Sequence, residues 1–157
     1  MPNCVLLVGL PCSGKTTFVR NHHEYCDNRR YEILSSDDIL EEMAEILGKT
    51  YNEAWPDYYE WADFLFWERL DKAIADKRNF IVDRTSLTVN TRRKILSRVP
   101  KSYRKVAIDF KPNPTVTNKR NVRPGKIIPN GTLWSMLCAY EMPSFFEGFD
   151  DIEQRHV

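Results

Sequence analysis

The chain has 157 residues and a formal net charge of +1, and this length suits a single domain with a substantial core. It contains no apolar run long enough to span a membrane, so no membrane partner is expected. The N-terminus lacks a basic segment followed by an apolar signal core, and the four cysteines have neither metal-binding spacing nor a disulfide framework. These features predict a cytoplasmic protein with reduced thiols.

The charges are distributed unevenly along the chain. Residues Asp37 to Asp76 include 12 acidic and 3 basic residues, whereas Arg84 to Lys126 include 13 basic residues and one acidic residue. Solvated helix faces account for part of this charge. Clustered positive charge nevertheless focuses the electrostatic field, so one side of the molecule is predicted to receive a polyanion.

The first predicted element is a strand over Cys4–Gly9 that runs into the sequence GLPCSGKT. This sequence fits the pattern G-x-x-x-x-G-K-[ST], in which glycines let backbone N–H groups turn towards phosphate oxygens. A helix from Thr16 to about Tyr25 supplies the context that the motif requires, which disfavours a chance match. The lysine would reach the β- and γ-phosphates, and the threonine would bind Mg²⁺. We therefore expect a nucleoside triphosphate to contact Gly9, Pro11, Cys12, Ser13, Gly14, Lys15, Thr16 and Thr17.

A second strand is predicted over Tyr31–Leu34, and a helix from Ile39 to about Leu47 follows it. The intervening Ser-Ser-Asp-Asp sequence caps this helix and places carboxylates at the carboxyl end of the strand. Phosphoryl transfer to a hydroxyl needs a group that orients and deprotonates it, so Asp37 is the candidate general base and an acceptor contact. Helix capping is the alternative role for Asp37 or Asp38.

The next predicted helix, from Trp55 to about Lys77 with Pro56 in its first turn, is unusually aromatic. The apolar positions that recur at helical spacing and should face the core are Ala62, Phe66, Leu70, Ala73 and Ile74. Five aromatic residues lie partly off this stripe, namely Trp55, Tyr58, Tyr59, Trp61 and Trp67. Such side chains can stack on nucleic-acid bases, although packing at the edge of a core is their more common use.

An apolar strand over Asn79–Asp83 ends in a carboxylate, as a Walker B element does. Asp83 is therefore a predicted ligand of metal or a contact to the acceptor. Thr88 or Asn90 would cap a helix that continues to about Arg98. This part of the chain presents three candidate acceptor contacts, which are Arg84, Arg92 and Arg93.

The predicted strand Lys105–Phe110 precedes a helix that Asn113-Pro114 would open. The basic stretch that follows contains proline and glycine breaks, and it suits a lid over about residues 118–128 that closes on the phosphates and excludes water. Arg120 and Arg123 would be catalytic cations of this lid, and Arg120 would also contact the nucleotide. Exposed surface arginines are the alternative interpretation.

A last helix is predicted from Pro129 to about Tyr140, with a tail over Met142–Val157. Strands that alternate with helices predict a parallel α/β sheet of the nucleoside-kinase-like P-loop NTPase type, flanked by helices, in one domain over residues 1–157. Ligands of such sheets lie beyond the carboxyl ends of the strands, so the loop at Gly9, Asp37 and Asp83 should converge there.

A phosphate-binding loop is compatible with a kinase, a switch GTPase or a mechanical ATPase, and other features of the sequence distinguish these classes. A GTPase needs an N-K-x-D sequence, whereas Asn118-Lys119-Arg120 is followed by Asn121, and no D-x-x-G switch sequence is present. A mechanical ATPase normally belongs to a larger chain. A small phosphotransferase fits best.

The ordered set GLPCSGKTT, SSDD, IVDRTSLTVNTRR, TNKRNVRPGKIIP and EMPSFFEGFD resembles the kinase domain of polynucleotide 5′-hydroxyl kinases. The likeness is to the phage-type enzymes and to the kinase module of kinase–phosphatase repair proteins. It implies Asp37 as the general base, Lys15 and Thr16 as nucleotide and metal contacts, Asp83 as an active-site carboxylate, and Arg120 and Arg123 as lid residues. One departure is Leu40, which stands where the phage-type enzymes have an arginine that contacts substrate phosphate.

The resemblance implies transfer of the γ-phosphoryl group of ATP, with Mg²⁺, to the 5′-OH of a DNA or RNA end, with single strands favoured. One alternative is a small-molecule kinase that acts on a nucleoside, nucleotide, sugar or antibiotic. Another is a nucleotide-binding module that transfers nothing.

Overall fold

The structure is a computed structural model, and it describes residues 1–22 and 30–157. The strands are β1 (Asn3–Val8), β2 (Tyr31–Leu34), β3 (Asn79–Val82), β4 (Arg104–Phe110) and β5 (Asp151–Arg155). The helices are α1 (Lys15–Asn21), α2 (Ser36–Ile46), α3 (Tyr51–Ala75), α4 (Val89–Leu96), α5 (Pro114–Arg120) and α6 (Asn130–Ala139), with a 3₁₀ turn at Phe145–Glu147. Of the described helices, none has the length and apolar character needed to cross a bilayer.

The strands form one parallel sheet in the order β2-β3-β1-β4-β5. Side chains of the central β1 alternate between two buried clusters, as the two-residue period of a strand requires. Cys4 and Leu6 join the cluster that contains Phe66 of α3, whereas Val5 and Leu7 join the cluster that contains Val19 of α1. Helices therefore cover both faces, and the predicted parallel α/β sheet is confirmed.

Helix α3 begins four residues earlier than the sequence predicts. Thr50 accepts a hydrogen bond from the Glu53 backbone N–H, and the Glu53 carboxylate accepts one from the Thr50 N–H, which together form a capping box. Pro56 consequently lies inside the helix and not in its first turn. The prediction placed Pro56 in the first turn because proline is favoured there. The capping box of Thr50 and Glu53 instead sets the start of the helix at Tyr51.

The predicted C-terminal tail is also wrong, since Phe145–Glu147 form the 3₁₀ turn and Asp151–Arg155 form strand β5. Strand β5 pairs in parallel with β4, and Ile108 lies opposite Glu153. Its sequence, DIEQR, has one apolar residue, so the alternation that identifies a strand is missing. Backbone hydrogen bonds to β4 and exposed polar side chains are what an edge strand needs, and they leave no hydrophobic pattern.

The remaining bounds shift by a few residues. Helix α1 ends at Asn21, where His22 takes an extended backbone conformation, and the predicted end near Tyr25 lies outside the described residues. Cys4, Cys12 and Cys138 are free thiols, and Cys26 also lies outside the described part of the chain.

Candidate active site

The phosphate-binding loop connects β1 to α1, and its two glycines are required by geometry. A Cβ on Gly9 would lie 2.9 Å from both the Phe110 Cβ and the Ser13 Oγ, so a larger residue would push the loop off the sheet. Gly14 has a φ of +95°, which side chains disfavour, and α1 begins immediately after it. The loop is therefore a backbone cradle that fits phosphate oxygens, as the sequence motif predicts.

Lys15 lies under this cradle and is almost completely buried. Its Nζ donates hydrogen bonds to the Gly9 carbonyl at 3.0 Å and to the Leu10 carbonyl at 2.7 Å. Burial lowers the pKa of Lys15 to about 8, and the nearby carboxylates of Asp83 and Asp37 only partly oppose this shift. The ammonium group is thus desolvated and held by neutral carbonyls, so a phosphate would be a strong additional partner.

Thr16 and Asp83 meet at the edge of the same loop. The Thr16 hydroxyl donates to the Asp83 Oδ2 at 2.8 Å, and the Asp83 backbone N–H is fixed by the Leu34 carbonyl of β2 at 2.9 Å. Burial raises the pKa of Asp83, although the Thr16 hydroxyl and Lys15 counteract it. A hydroxyl and a carboxylate beside a phosphate cradle suit Mg²⁺, which takes one or two protein oxygens and completes its shell with phosphate and water.

Asp37 lies in the first turn of α2, across the cleft from the loop. The cap of this helix is Ser35, whose hydroxyl accepts from the Asp38 N–H at 3.2 Å, so Asp37 is not used for capping. The Asp37 side chain is 57% exposed. Its Oδ1 accepts a hydrogen bond of 2.7 Å from the Tyr51 hydroxyl, and its Oδ2 lies 3.6 Å from the Lys126 Nζ.

The basic segment that begins at the last residue of α5 contacts both sides of the cleft. Arg120 reaches over the phosphate-binding loop, where its Nη1 is 3.4 Å from the Cys12 carbonyl. Arg123 instead forms a 3.1 Å ion pair with Glu41 of α2, and Lys126 pairs with the same carboxylate. Burial alone would raise the pKa of Glu41, but the hydrogen bonds and charges of Lys126 and Arg123 outweigh it and lower the pKa.

These elements enclose a cleft of about 1540 Å³. It is lined by the predicted site residues Pro11, Cys12, Ser13, Gly14, Lys15, Thr16, Thr17, Asp37, Asp83, Arg84, Arg120 and Arg123. Helix α3 adds Tyr51, Trp55 and Tyr59, and the C-terminal strand adds Arg155. The convergence at the carboxyl ends of the strands is therefore as predicted.

Two predicted acceptor contacts lie elsewhere. Arg92 is completely buried, and its guanidinium forms two hydrogen bonds with the Glu147 carboxylate, at 2.7 and 3.0 Å, and one with the Ser86 carbonyl at 2.9 Å. The prediction that Arg92 contacts substrate is wrong, because its guanidinium is buried away from the cleft and is already paired with the Glu147 carboxylate. Arg93 is exposed on α4 and is not among the described residues that line the cleft.

Among the described residues around Asp37, three were not assigned from the sequence, namely Glu41, Tyr51 and Lys126. Glu41 lies one helical turn after Asp37, a spacing that would have placed it on the same face. Tyr51 and Lys126 reach Asp37 through tertiary packing, and nothing local to their sequence marks this. Leu40 is buried in the core, so the side chain at position 40 does not reach the cleft.

A phosphate-binding loop at the first strand of a parallel five-stranded sheet defines a P-loop protein with a kinase-type fold. The family model of the AAA_33 AAA domains matches residues 4–126, and the chain belongs to this family.

Three solved structures share the fold. A candidate kinase from Chloroflexus aurantiacus is 16% identical with a TM-score of 0.69, covering 99% of this chain and 88% of that one. A gluconokinase from Sinorhizobium meliloti is 18% identical with a TM-score of 0.59, covering 99% and 83%. A chain of the Pnkp1/Rnl/Hen1 RNA repair complex is 19% identical with a TM-score of 0.68, covering 88% of this chain and 43% of that one. Proteins with this fold thus include kinases of small molecules and members of nucleic-acid repair complexes.

Proposed function

We propose that the protein is a kinase that transfers the γ-phosphoryl group of ATP to a hydroxyl held beside Asp37, and that this hydroxyl is the 5′-OH of a single-stranded nucleic acid end. One observation carries the proposal: Lys15, the Thr16–Asp83 pair and the Asp37 carboxylate all open onto one cleft. A phosphate cradle that faces an exposed carboxylate supplies the two halves of a phosphoryl-transfer site.

On the donor side, the backbone of residues 9–17 and the Lys15 ammonium hold the triphosphate. Thr16 and Asp83 would hold Mg²⁺, which when bound supplies positive charge to the β- and γ-phosphates. Arg120 already reaches the loop at Cys12, so it is placed to neutralise charge that develops on the migrating phosphoryl group. Residues 118–128 act as the lid that excludes water.

On the acceptor side, Asp37 orients the hydroxyl and takes its proton as the oxygen attacks the γ-phosphorus, and ADP leaves. The Tyr51 hydroxyl holds one carboxylate oxygen, while the other lies beyond hydrogen-bond distance of Lys126 and can accept the proton. Arg123, paired with Glu41 one turn along α2, places a lid cation near the same group.

Three findings support a nucleic acid as the acceptor. They are the ordered set of motifs, the structural likeness to a chain of an RNA repair complex, and the aromatic side chains Trp55 and Tyr59 that face the cleft. Arg92 does not contribute to acceptor binding, because its buried charge is neutralised by Glu147. We therefore expect a short contact with a terminal nucleotide and not an extended track of phosphate contacts.

A small-molecule hydroxyl kinase is the second candidate, and the charge of the acceptor wall favours it. Asp38 and Glu60 line the cleft without an ion pair among the described residues, and such carboxylates would repel a phosphate backbone. A neutral or cationic acceptor would not meet this penalty.

A screen with labelled ATP tests both candidates. The acceptors are a 5′-OH ten-mer, a 5′-OH dinucleotide, a nucleoside, the neutral sugar glucose and a cationic aminoglycoside antibiotic, each at low and moderate salt, with the Asp37→Asn variant as a chemical control. We expect transfer to the dinucleotide and the ten-mer, with a weak salt dependence because few phosphates are contacted. Transfer to the sugar, the aminoglycoside or the free nucleoside alone would establish the second candidate. No transfer to any acceptor would indicate a binding module.

A further inference from the structure

We infer that Trp55 and Tyr59 form a stacking platform for the base of the acceptor's terminal nucleotide. The inference deepens the proposed function and rests on it. It names the part of the acceptor that the enzyme recognises, and it assigns this recognition to α3, outside the phosphate-binding loop and the lid.

The two rings form one exposed surface inside the cleft. Their centroids are 4.7 Å apart and their planes differ by 15°, so they are stacked on each other. Trp55 is 46% exposed and Tyr59 is 42% exposed, although both line the cleft that contains Asp37. Large aromatic rings left in water within a cleft are costly unless a ligand covers them.

The platform lies on the same face of α3 as Tyr51, the residue that contacts the candidate general base Asp37. Tyr51, Trp55 and Tyr59 recur every four residues, so they lie on one face of α3, about 6 Å apart along the helix axis. Tyr51 is the residue that donates to Asp37. Trp55 lies one turn further along the helix, so a nucleotide whose 5′-OH meets Asp37 can extend its nucleobase towards Trp55.

The other aromatic residues of α3 have different environments. Tyr58 and Trp67 pack against the core, and the Trp67 indole also donates to Asp63 at 3.2 Å. Trp61 is 40% exposed, but it is not one of the described residues that line the cleft. Exposure inside the cleft therefore separates Trp55 and Tyr59 from ordinary packing residues.

The charges beside the platform favour a base over a phosphate. The Tyr59 hydroxyl donates to Glu60 at 3.1 Å, and Asp63 pairs with Arg84 at 3.0 Å. The Asp63 charge is neutralised by Arg84, whereas the Glu60 carboxylate has no ion pair among the described residues and repels a phosphate group but not an uncharged ring. The terminal nucleotide of a 5′-OH end carries no phosphate on its 5′ side, so it is the part of a nucleic acid that this surface tolerates.

The first experiment compares two ten-mers that differ only at the 5′ end, where one has a base and the other an abasic sugar. For the wild type, we expect KM to be lower for the base-containing ten-mer by between about fivefold and a hundredfold, the range of one base–aromatic stack. Trp55→Ala should raise KM for that ten-mer and leave KM for the abasic one, the KM for ATP and kcat nearly unchanged. Trp61→Ala is the matched control, because it removes an equally exposed tryptophan of α3 outside the cleft.

The outcomes separate the platform from the proposed function. Equal kcat/KM for both ten-mers in the wild type, or an equal loss in Trp55→Ala and Trp61→Ala, would overturn the platform and leave the kinase intact. No transfer to either ten-mer would overturn the proposed nucleic-acid acceptor.

A binding measurement tests the platform without turnover. With ADP at saturation, a 5′-OH dinucleotide should quench tryptophan fluorescence in the wild type and in Trp61→Phe, but much less in Trp55→Phe. Phenylalanine keeps an aromatic ring, so this variant tests the assignment even if Trp55→Ala folds poorly. Identical quenching in all three proteins would overturn the platform.

Discussion

The donor and acceptor sides of the cleft are built in different ways. The donor side is a contiguous loop, residues 9–17, completed by one carboxylate at the end of the neighbouring strand. The acceptor side is assembled from α2, α3 and the segment after α5, which meet through Asp37, Tyr51, Glu41 and Lys126. Local backbone geometry therefore determines the donor side, whereas helix packing and ion pairs determine the acceptor side.

The largest expected effect is the loss of phosphoryl transfer when Lys15, on the donor side, is replaced. Lys15→Met removes the cation beneath the phosphate cradle, and we expect transfer to fall by about 10³-fold or more, with weaker ATP binding. The fold should persist, because the lysine's partners are loop groups, namely the Gly9 and Leu10 carbonyls and the Ser13 hydroxyl, and not the core. Turnover, ATP affinity and a thermal melt check this together. Near-normal turnover would contradict the assignment of the donor side.

Asp37→Asn should affect the acceptor side alone. Asparagine keeps an oxygen to accept from Tyr51 but cannot take a proton from the hydroxyl, so we expect a loss of about 10²- to 10⁴-fold in kcat with ATP affinity retained. Asp57→Asn is the control, since this acid is exposed on α3. A variant within about threefold of the wild type would transfer the base role to Asp38 or Asp83.

Arg120 belongs to the donor side by contact, although it comes from the predicted lid. Arg120→Ala should lower kcat by about 10²-fold and weaken ATP binding less, because its cation is needed most when charge develops in the transition state. Lys119→Ala, which removes the adjacent exposed cation, should have little effect. If instead ATP affinity falls and kcat is unchanged, Arg120 is a ground-state contact.

More of the donor side than of the acceptor side could be predicted from the sequence, because short local motifs define the donor side. The loop, Asp83 and Asp37 follow from short motifs at strand ends, because parallel strands bring their carboxyl ends to one edge. The side chains that surround Asp37 could not be predicted, since the Tyr51–Asp37 contact depends on how α2 packs against α3. Strand β5 escaped prediction because an edge strand with polar side chains has no alternating pattern.

Arg92 is a residue for which the sequence predicted a site contact that the fold does not make. A basic motif predicted a surface contact, whereas the fold buries this arginine against Glu147. Arg92→Ala leaves the nearly buried Glu147 carboxylate without its cation and with only the Ser144 backbone N–H as a partner among the described residues, so we expect a loss of about 3–5 kcal/mol in unfolding free energy, against less than about 0.5 kcal/mol for Arg93→Ala. Chemical denaturation checks both. A well-folded Arg92→Ala protein with weaker acceptor binding would restore the prediction from sequence.

The smallest expected effect is a pH dependence of the unfolding free energy that comes from Lys15 on the donor side. Folded protein releases the Lys15 proton near pH 8, because burial disfavours the ammonium, whereas the unfolded chain keeps it until about pH 10.5. Between these values the unfolded state binds more protons, so Lys15 makes the unfolding free energy rise with pH by an amount on the order of 2–3 kcal/mol. Below pH 8 the cost of the buried charge is fully present. Lys15→Met lacks the titrating group, so the stability difference between wild type and variant should shift in favour of the wild type from pH 8 to pH 10.5. Denaturation at several pH values measures it, with Lys119→Met as the control for loss of one exposed positive charge. A difference that stays constant over this range would mean that the lysine under the cradle is not desolvated.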